Sequence, residues 1–246
     1  MPHKLHGDLL GHLFPGVMFL VWAAFWAKDM LRRGGGNSAF MFDARPLPVS
    51  APPLPAPGAT ERWLKLLLPL LAMLGEARWM KFPISDGSVS NYQHATAYVL
   101  VSLCGACDIL VHRGRLPRGA DRLMLAFTFI VIAFTLGFHG HNMAVATAVH
   151  ADLAAALFVL GALILVEYMR PAPVVRWLEI YALGVSAAWF VTVGWILYVA
   201  QYDLMSEDTA VKTHLFFSWH LVGIAVLLLV VAALTTNTRA TATRDT

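Results

Sequence analysis

The sequence predicts an all-α polytopic membrane protein: a bundle of seven transmembrane helices, with the N-terminus outside and the C-terminus in the cytoplasm. Three observations lead there. Of the 246 residues 58% are hydrophobic and only 13% are charged, and the mean hydropathy of +0.63 lies well outside the range of soluble globular domains. The apolar residues come in blocks of about twenty, the length that crosses roughly 30 Å of hydrocarbon. Between the blocks lie short clusters of Lys and Arg, segregated to one side of a seven-span topology.

The first block, Leu9 to Leu31, is too long for a signal-peptide core and carries Trp22 and Trp26 in place of a small-residue cleavage site, so it reads as a retained helix. The following stretch, residues 32–62, holds Gly34, Gly35 and Gly36 and a proline run from Pro46 to Pro57. Such a composition buries too little surface to fold alone and predicts a flexible cytoplasmic loop. Six further spans follow: Trp63 to Met80, Tyr92 to Val111, Leu123 to His139, Val149 to Met169, Trp177 to Ala200 and His214 to Thr235. Breakers stand where helices should stop, at Pro83 and Gly87, Gly114 and Pro117, Gly140, and Pro171 and Pro173. Short connections imply antiparallel neighbours, and no internal repeat is evident, so residues 1–246 form a single bundle.

Of the 18 Lys and Arg residues, all but Lys4, Arg78, Lys81 and Lys212 fall on the side that holds the long loop. Positive charge marks the cytoplasmic face of a plasma or inner membrane, and adding or removing one span would scramble the segregation. The net charge of +3 therefore reflects membrane flanks, and nucleic acid is not an expected partner. Cys104 and Cys107, the only cysteines, share one apolar block at helical spacing, which excludes a disulfide framework and a zinc ribbon.

Function is sought in the ionisable residues placed within the spans. By helix rise, His12 lies near the outer start of span one, Glu76 about one turn before the outer end of span two, and His94 one turn into span three. His139 and His141 close span four, while His150 and His220 open spans five and seven. Each ionisable group in hydrocarbon costs a few kcal/mol unless it faces partners in the bundle interior. Imidazoles with a carboxylate are the usual ligand set of zinc. The expected centre comprises Glu76, His94, His139, His150 and His220, with His12 and His141 in reserve. In span three, Asn91, His94, Tyr98, Gly105, Asp108 and His112 recur at steps of three, four or seven and form one inward stripe. Asp108 lies about 21 Å deeper than His94, and the basic residues near Arg122 are its expected partners. His139 and His141 point about 200° apart on a regular helix; Gly137 and Gly140 let the chain leave that geometry. Trp219, beside His220, is the tryptophan expected to support the site.

Gly11-His12 with Pro15-Gly16, Glu76, Gln93-His94 with Tyr98, Asp108, Pro117 with Gly119-Ala120-Asp121-Arg122, His139-Gly140-His141, His150, Glu167 and Trp219-His220 together resemble, in order, the transmembrane protein 45 family. The resemblance spans nearly the whole chain and implies a multi-pass helical membrane protein whose shared polar residues are these histidines and the glutamate. It implies no particular activity. Ala148 and Thr192 depart from the pattern, which has a histidine and a glutamine there, and the proline-rich loop is an insertion.

The leading expectation is a zinc-dependent membrane hydrolase, with Glu76 as general base or ligand and a lipid-like or small-molecule substrate entering between helices. The alternatives are a structural or interaction protein whose polar cluster ties the bundle together, a haem protein with two axial histidines, and a metal or proton carrier extending inward through Asp108, Glu167 and Glu179.

Overall fold

Helix ends in the computed structural model fall on the breakers in the sequence. The structure describes residues 9–33, 57–77, 80, 82, 84, 89–139 and 143–242, with side chains described as far as residue 234. Among them are seven α-helices and no strand: α1 (Leu10–Arg33), α2 (Ala59–Ala77), α3 (Val89–His112), α4 (Ala120–Leu136), α5 (Ala144–Met169), α6 (Pro173–Tyr198) and α7 (Glu207–Ala242). After α3 the chain turns through Gly114 at φ 68° and Gly119 at φ 91°, left-handed conformations that only glycine adopts cheaply. Pro173 stands at the start of α6, where its missing N–H has no helical partner to lose.

By length and composition five helices can cross a membrane: α1, α3, α5, α6 and α7. The other two fall short for different reasons. Helix α4 has 17 residues, about 25 Å of helix. Helix α2 carries Glu61, Arg62, Lys65 and Glu76.

Two boundaries differ from expectation in ways that move ionisable residues. Helix α2 begins at Ala59, so Glu61 and Arg62 are helical and not part of the loop; most of that loop lies outside the described residues. Helix α7 begins at Glu207, about two turns ahead of His214. Glu207 and Asp208 read as loop in a hydropathy scan, yet acidic side chains in a first turn are favoured by the helix dipole. His220 is consequently about 20 Å along its helix and does not open it.

Sequential contacts show the alternating direction of the helices. Trp26 near the end of α1 bonds Glu61 at the start of α2, Glu76 at the end of α2 accepts from Asn91 at the start of α3, and the His12 ring lies 5.6 Å from that of Tyr198 at the end of α6. The closest helix pairs are α1 with α6, α2 with α3, and α4 with α5; α7 packs at the edge, against α5 and α6. Phe19, Phe129, Leu157, Leu183 and Trp189 fill the middle of the bundle.

Polarity is inverted relative to a soluble bundle. On α2 the inward face is Glu61, Lys65 and Pro69, one residue per turn, while Leu67, Leu71 and Leu74 face outward; Lys65 is 1% exposed and Leu71 64%. A helix that hides its charges and displays its leucines is at home in lipid, where apolar exposure costs nothing and charge must be satisfied internally.

The α2–α3 contact depends on Gly105. A Cβ there would stand 2.4 Å from the backbone nitrogen of Leu66, and a backbone atom cannot step aside as a side-chain tip can. Gly105→Leu is expected to destabilise the detergent-solubilised protein by at least the ~1–3 kcal/mol typical of overpacking. Gly75→Ala, inside α2 with open space around it, should not lower the thermal unfolding midpoint and is expected to raise it slightly.

Candidate functional site

Four imidazoles meet at the end of the bundle where α1, α3 and α5 begin. His12 projects from the first turn of α1 and is 3% exposed. It reaches α6 at Gly194, where an added Cβ would approach the His12 Cβ to 3.0 Å. Its Nε2 lies 3.4 Å from Nε2 of His150, about two turns into α5. The His139 ring, just past the end of α4, is 4.4 Å from that of His150 and 5.3 Å from that of His94 on α3. The His12 and His94 rings, 6.3 Å apart, close the group. Beneath it is a cavity of about 60 Å³ bordered by His12, His94, His150, Tyr98 and Phe190, the volume of about two waters.

The hydrogen bonds around these rings dictate their tautomers. His150 Nδ1 is 2.7 Å from the carbonyl of Ala146; a carbonyl only accepts, so Nδ1 carries the hydrogen and Nε2 of the neutral ring presents a lone pair. His139 Nδ1 is 2.6 Å from Oε1 of Gln93, and that amide is oriented by its nitrogen donating to the Thr135 carbonyl at 3.3 Å. His139 Nε2 is then left to accept from the hydroxyl of Ser90 at 3.3 Å. His94 Nδ1 lies 3.2 Å from Oε1 of Glu76, whose other oxygen accepts from Asn91 Nδ2 at 2.8 Å. Three rings thus donate from Nδ1 to a fixed protein acceptor, which in the neutral form leaves Nε2 as the lone pair. Since His150 Nε2 accepts, His12 Nε2 is the donor across the gap between them.

Of the residues expected at the centre, Glu76, His94, His139 and His150 are brought together, and His12 joins them. His141 lies outside the described residues. His220 is held elsewhere: its Nδ1 donates to the Phe216 carbonyl at 2.7 Å, and its Nε2 pairs with the Thr192 hydroxyl at 2.8 Å. The late start assumed for α7 is what placed His220 at the wrong level. Trp219 points outward and is 68% exposed; the ring against His220 is Trp189, at 5.2 Å. Among the described residues, no group of three or more His, Cys, Asp or Glu stands ready to hold a metal ion.

The opposite end of the bundle holds a second polar centre that the hydropathy reading passed over. Lys65 pairs with Glu61 at 2.7 Å and with Asp108 at 3.0 Å. It therefore takes the place that Arg122 was expected to fill beside Asp108, because α2 packs on the Asp108 face of α3 through Gly105. Arg122 instead faces Glu167 at 3.3 Å, and Arg176 is bonded to Glu179 and lies 3.8 Å from Glu167. Trp26 sits among them, donating to Glu61 at 3.1 Å under the Arg176 guanidinium at 3.9 Å. The available signal was spacing: Glu61 and Lys65 are four apart, on the α2 face opposite the leucines.

Apolar outward faces and buried polar centres define the chain as an all-helical membrane protein. No family model matches it.

Removing Lys65 would leave Glu61 and Asp108 buried without a counter-charge. Lys65→Met should cost about 3–5 kcal/mol, read as a lowered thermal midpoint in detergent. The triple change Glu61→Gln, Lys65→Met, Asp108→Asn, which removes all three charges, should recover most of it.

Proposed function

We propose that this chain crosses the membrane seven times, N-terminus outside, and that its histidine cluster takes up a divalent transition-metal ion of the zinc type. The observation that carries the metal reading is the tautomer pattern. His94, His139 and His150 each spend Nδ1–H on a carboxylate, amide or backbone carbonyl and keep Nε2 as a lone pair, the arrangement of metal-bound histidines. Spacing agrees with it. Two nitrogens at 2.0–2.1 Å from a tetrahedral zinc stand about 3.3–3.4 Å apart, and His12 and His150 lie at 3.4 Å; the hydrogen that His12 Nε2 holds between them would move to Nδ1 or to solvent when an ion took its place. Rings sharing such an ion have centroids about 5 Å apart, and neighbouring rings around the group lie 4.4 to 6.3 Å apart. Glu76, held by His94 and Asn91, orients His94. When bound, the ion supplies Lewis acidity, the chemistry a membrane hydrolase uses on a lipid-like or small-molecule carbonyl substrate. Four imidazoles exceed what axial haem ligation uses.

Seven crossings and this orientation are favoured by the strict alternation of helix direction and by the Lys and Arg bias. The motifs shared with the transmembrane protein 45 family favour membership of that family.

Metal content tests the centre. Detergent-purified protein should hold about one zinc-type ion per chain by elemental analysis, and cobalt loading should give the intense visible bands of a tetrahedral site. His12→Ala and His150→Ala should lose both signals while still unfolding cooperatively, and His220→Ala should keep them. Protein that stays metal-free after incubation with zinc and cobalt would sink the reading.

Topology is tested by labelling. Arg115→Cys, in the α3–α4 turn, should react with an impermeant maleimide only after the membrane is opened, whereas Tyr202→Cys, between α6 and α7, should react in intact cells. The reverse pattern would invert the orientation, and equal reactivity would remove the odd span count.

A further inference from the structure

Opposite the histidines, a cavity of about 320 Å³ opens between α1, α2, α3, α4 and α6. At about 30 Å³ per water it holds a ligand of headgroup size but not an acyl chain. Its lining carries both signs of charge: Lys65, Arg122 and Arg176 face it, as do Glu61, Asp108 and Asp121, and Lys28, Asp29 and Arg32 stand on α1 at its rim.

Several of these groups are not used by the internal ion pairs. Arg122 has five N–H donors and makes no hydrogen bond among the described residues; its one ion pair is to a single Glu167 oxygen at 3.3 Å. Lys28 and Arg32, both exposed, make no hydrogen bond or ion pair among the described residues, and Asp121, in the first turn of α4, acts on the neighbouring Arg122 through space without a hydrogen bond to it. A phosphate receptor and an ammonium receptor therefore border one cavity with their bonding capacity unspent. A simple anion would meet the carboxylates, and a simple cation the arginines. A ligand bearing both charges satisfies both sets.

We propose that this cavity binds a phosphate ester that also carries an ammonium group, of the phosphoethanolamine type. The phosphate lies toward Arg122, Arg32 and Lys28, and the ammonium toward Asp121. Arginine suits the first task because its planar donors match phosphate oxygens two at a time. The same chemistry comes from two sources, a lipid headgroup or a free phosphate ester. The site is separate from the histidine cluster and stands whether or not that cluster holds metal.

The test is thermal unfolding of the full chain in detergent, titrated with O-phosphoethanolamine, dihexanoyl phosphatidylethanolamine, dihexanoyl phosphatidylglycerol or ethanolamine. Either amine-bearing phosphate should raise the midpoint saturably. A response to the short-chain lipid alone assigns the lipid as source, and a response to both admits the free ester. Phosphatidylglycerol and ethanolamine should have no saturable effect. Lys28→Gln with Arg32→Gln, both exposed and so harmless to folding, should weaken the apparent affinity at least tenfold. Asp121→Asn should abolish the preference for the amine, making phosphatidylethanolamine and phosphatidylglycerol equivalent, and Lys212→Gln at the far end should change nothing. No saturable shift with either amine-bearing phosphate, an equal shift with phosphatidylglycerol on the unaltered protein, or affinity unchanged in both the Lys28/Arg32 and Asp121 variants would overturn the proposal.

Discussion

Lys65 is the side chain on which the helix arrangement turns. A cation 1% exposed in a bundle with an apolar exterior must find its counter-charges inside, and it has two, Glu61 on its own helix and Asp108 on the next. That pairing sets the rotation of α2, and the rotation sends Leu67, Leu71 and Leu74 outward. Hydrophobic burial cannot choose this orientation, since lipid is as apolar as leucine. Charge chooses it, and close packing at Gly105 holds it. At the other end of the same two helices, the same rotation presents Glu76 to His94 and Asn91.

The two polar centres stand at opposite ends of the bundle. His94 and Asp108 are about 21 Å apart along α3, and Phe19, Phe129, Leu157 and Phe190 occupy the space between. The described polar side chains of that layer are uncharged, among them Tyr98, Ser102 and Thr128, the last bonded to Cys104. Each end is built for its own chemistry: imidazoles fixed through Nδ1 at one, interlocked ions around a headgroup-sized chamber at the other.

Much of this was legible in the residues. Apolar block lengths gave the helices to within a few positions, and helix rise gave the levels of His12, His94 and His139, because those residues lie close to helix ends marked by Pro or Gly. Where an end had no such marker, the reading slipped. Nothing in Glu207–Lys212 announces a helix to a hydropathy scan, which starts the last span at His214, whereas α7 begins two turns earlier and carries His220 correspondingly deeper. Charged residues near an end were read as flanks, which suits Arg113 and Arg115 but not Glu61, Lys65 or Arg176. Depth along a helix follows from counting; whether a cation faces water or a carboxylate depends on which helix lies opposite, and only packing decides that. His139 pairing with Gln93, across two helices, is of the same kind.

The backbone contact at Gly105 has a mechanical consequence. With no side chain between them, α2 and α3 cannot slide or roll independently, so they behave as one stiff strut running from the imidazoles to the ion chamber. Two separate compartments are thereby tied to a single moving part: a tilt that widened the chamber would also draw Glu76 and His94 away from His12 and His150.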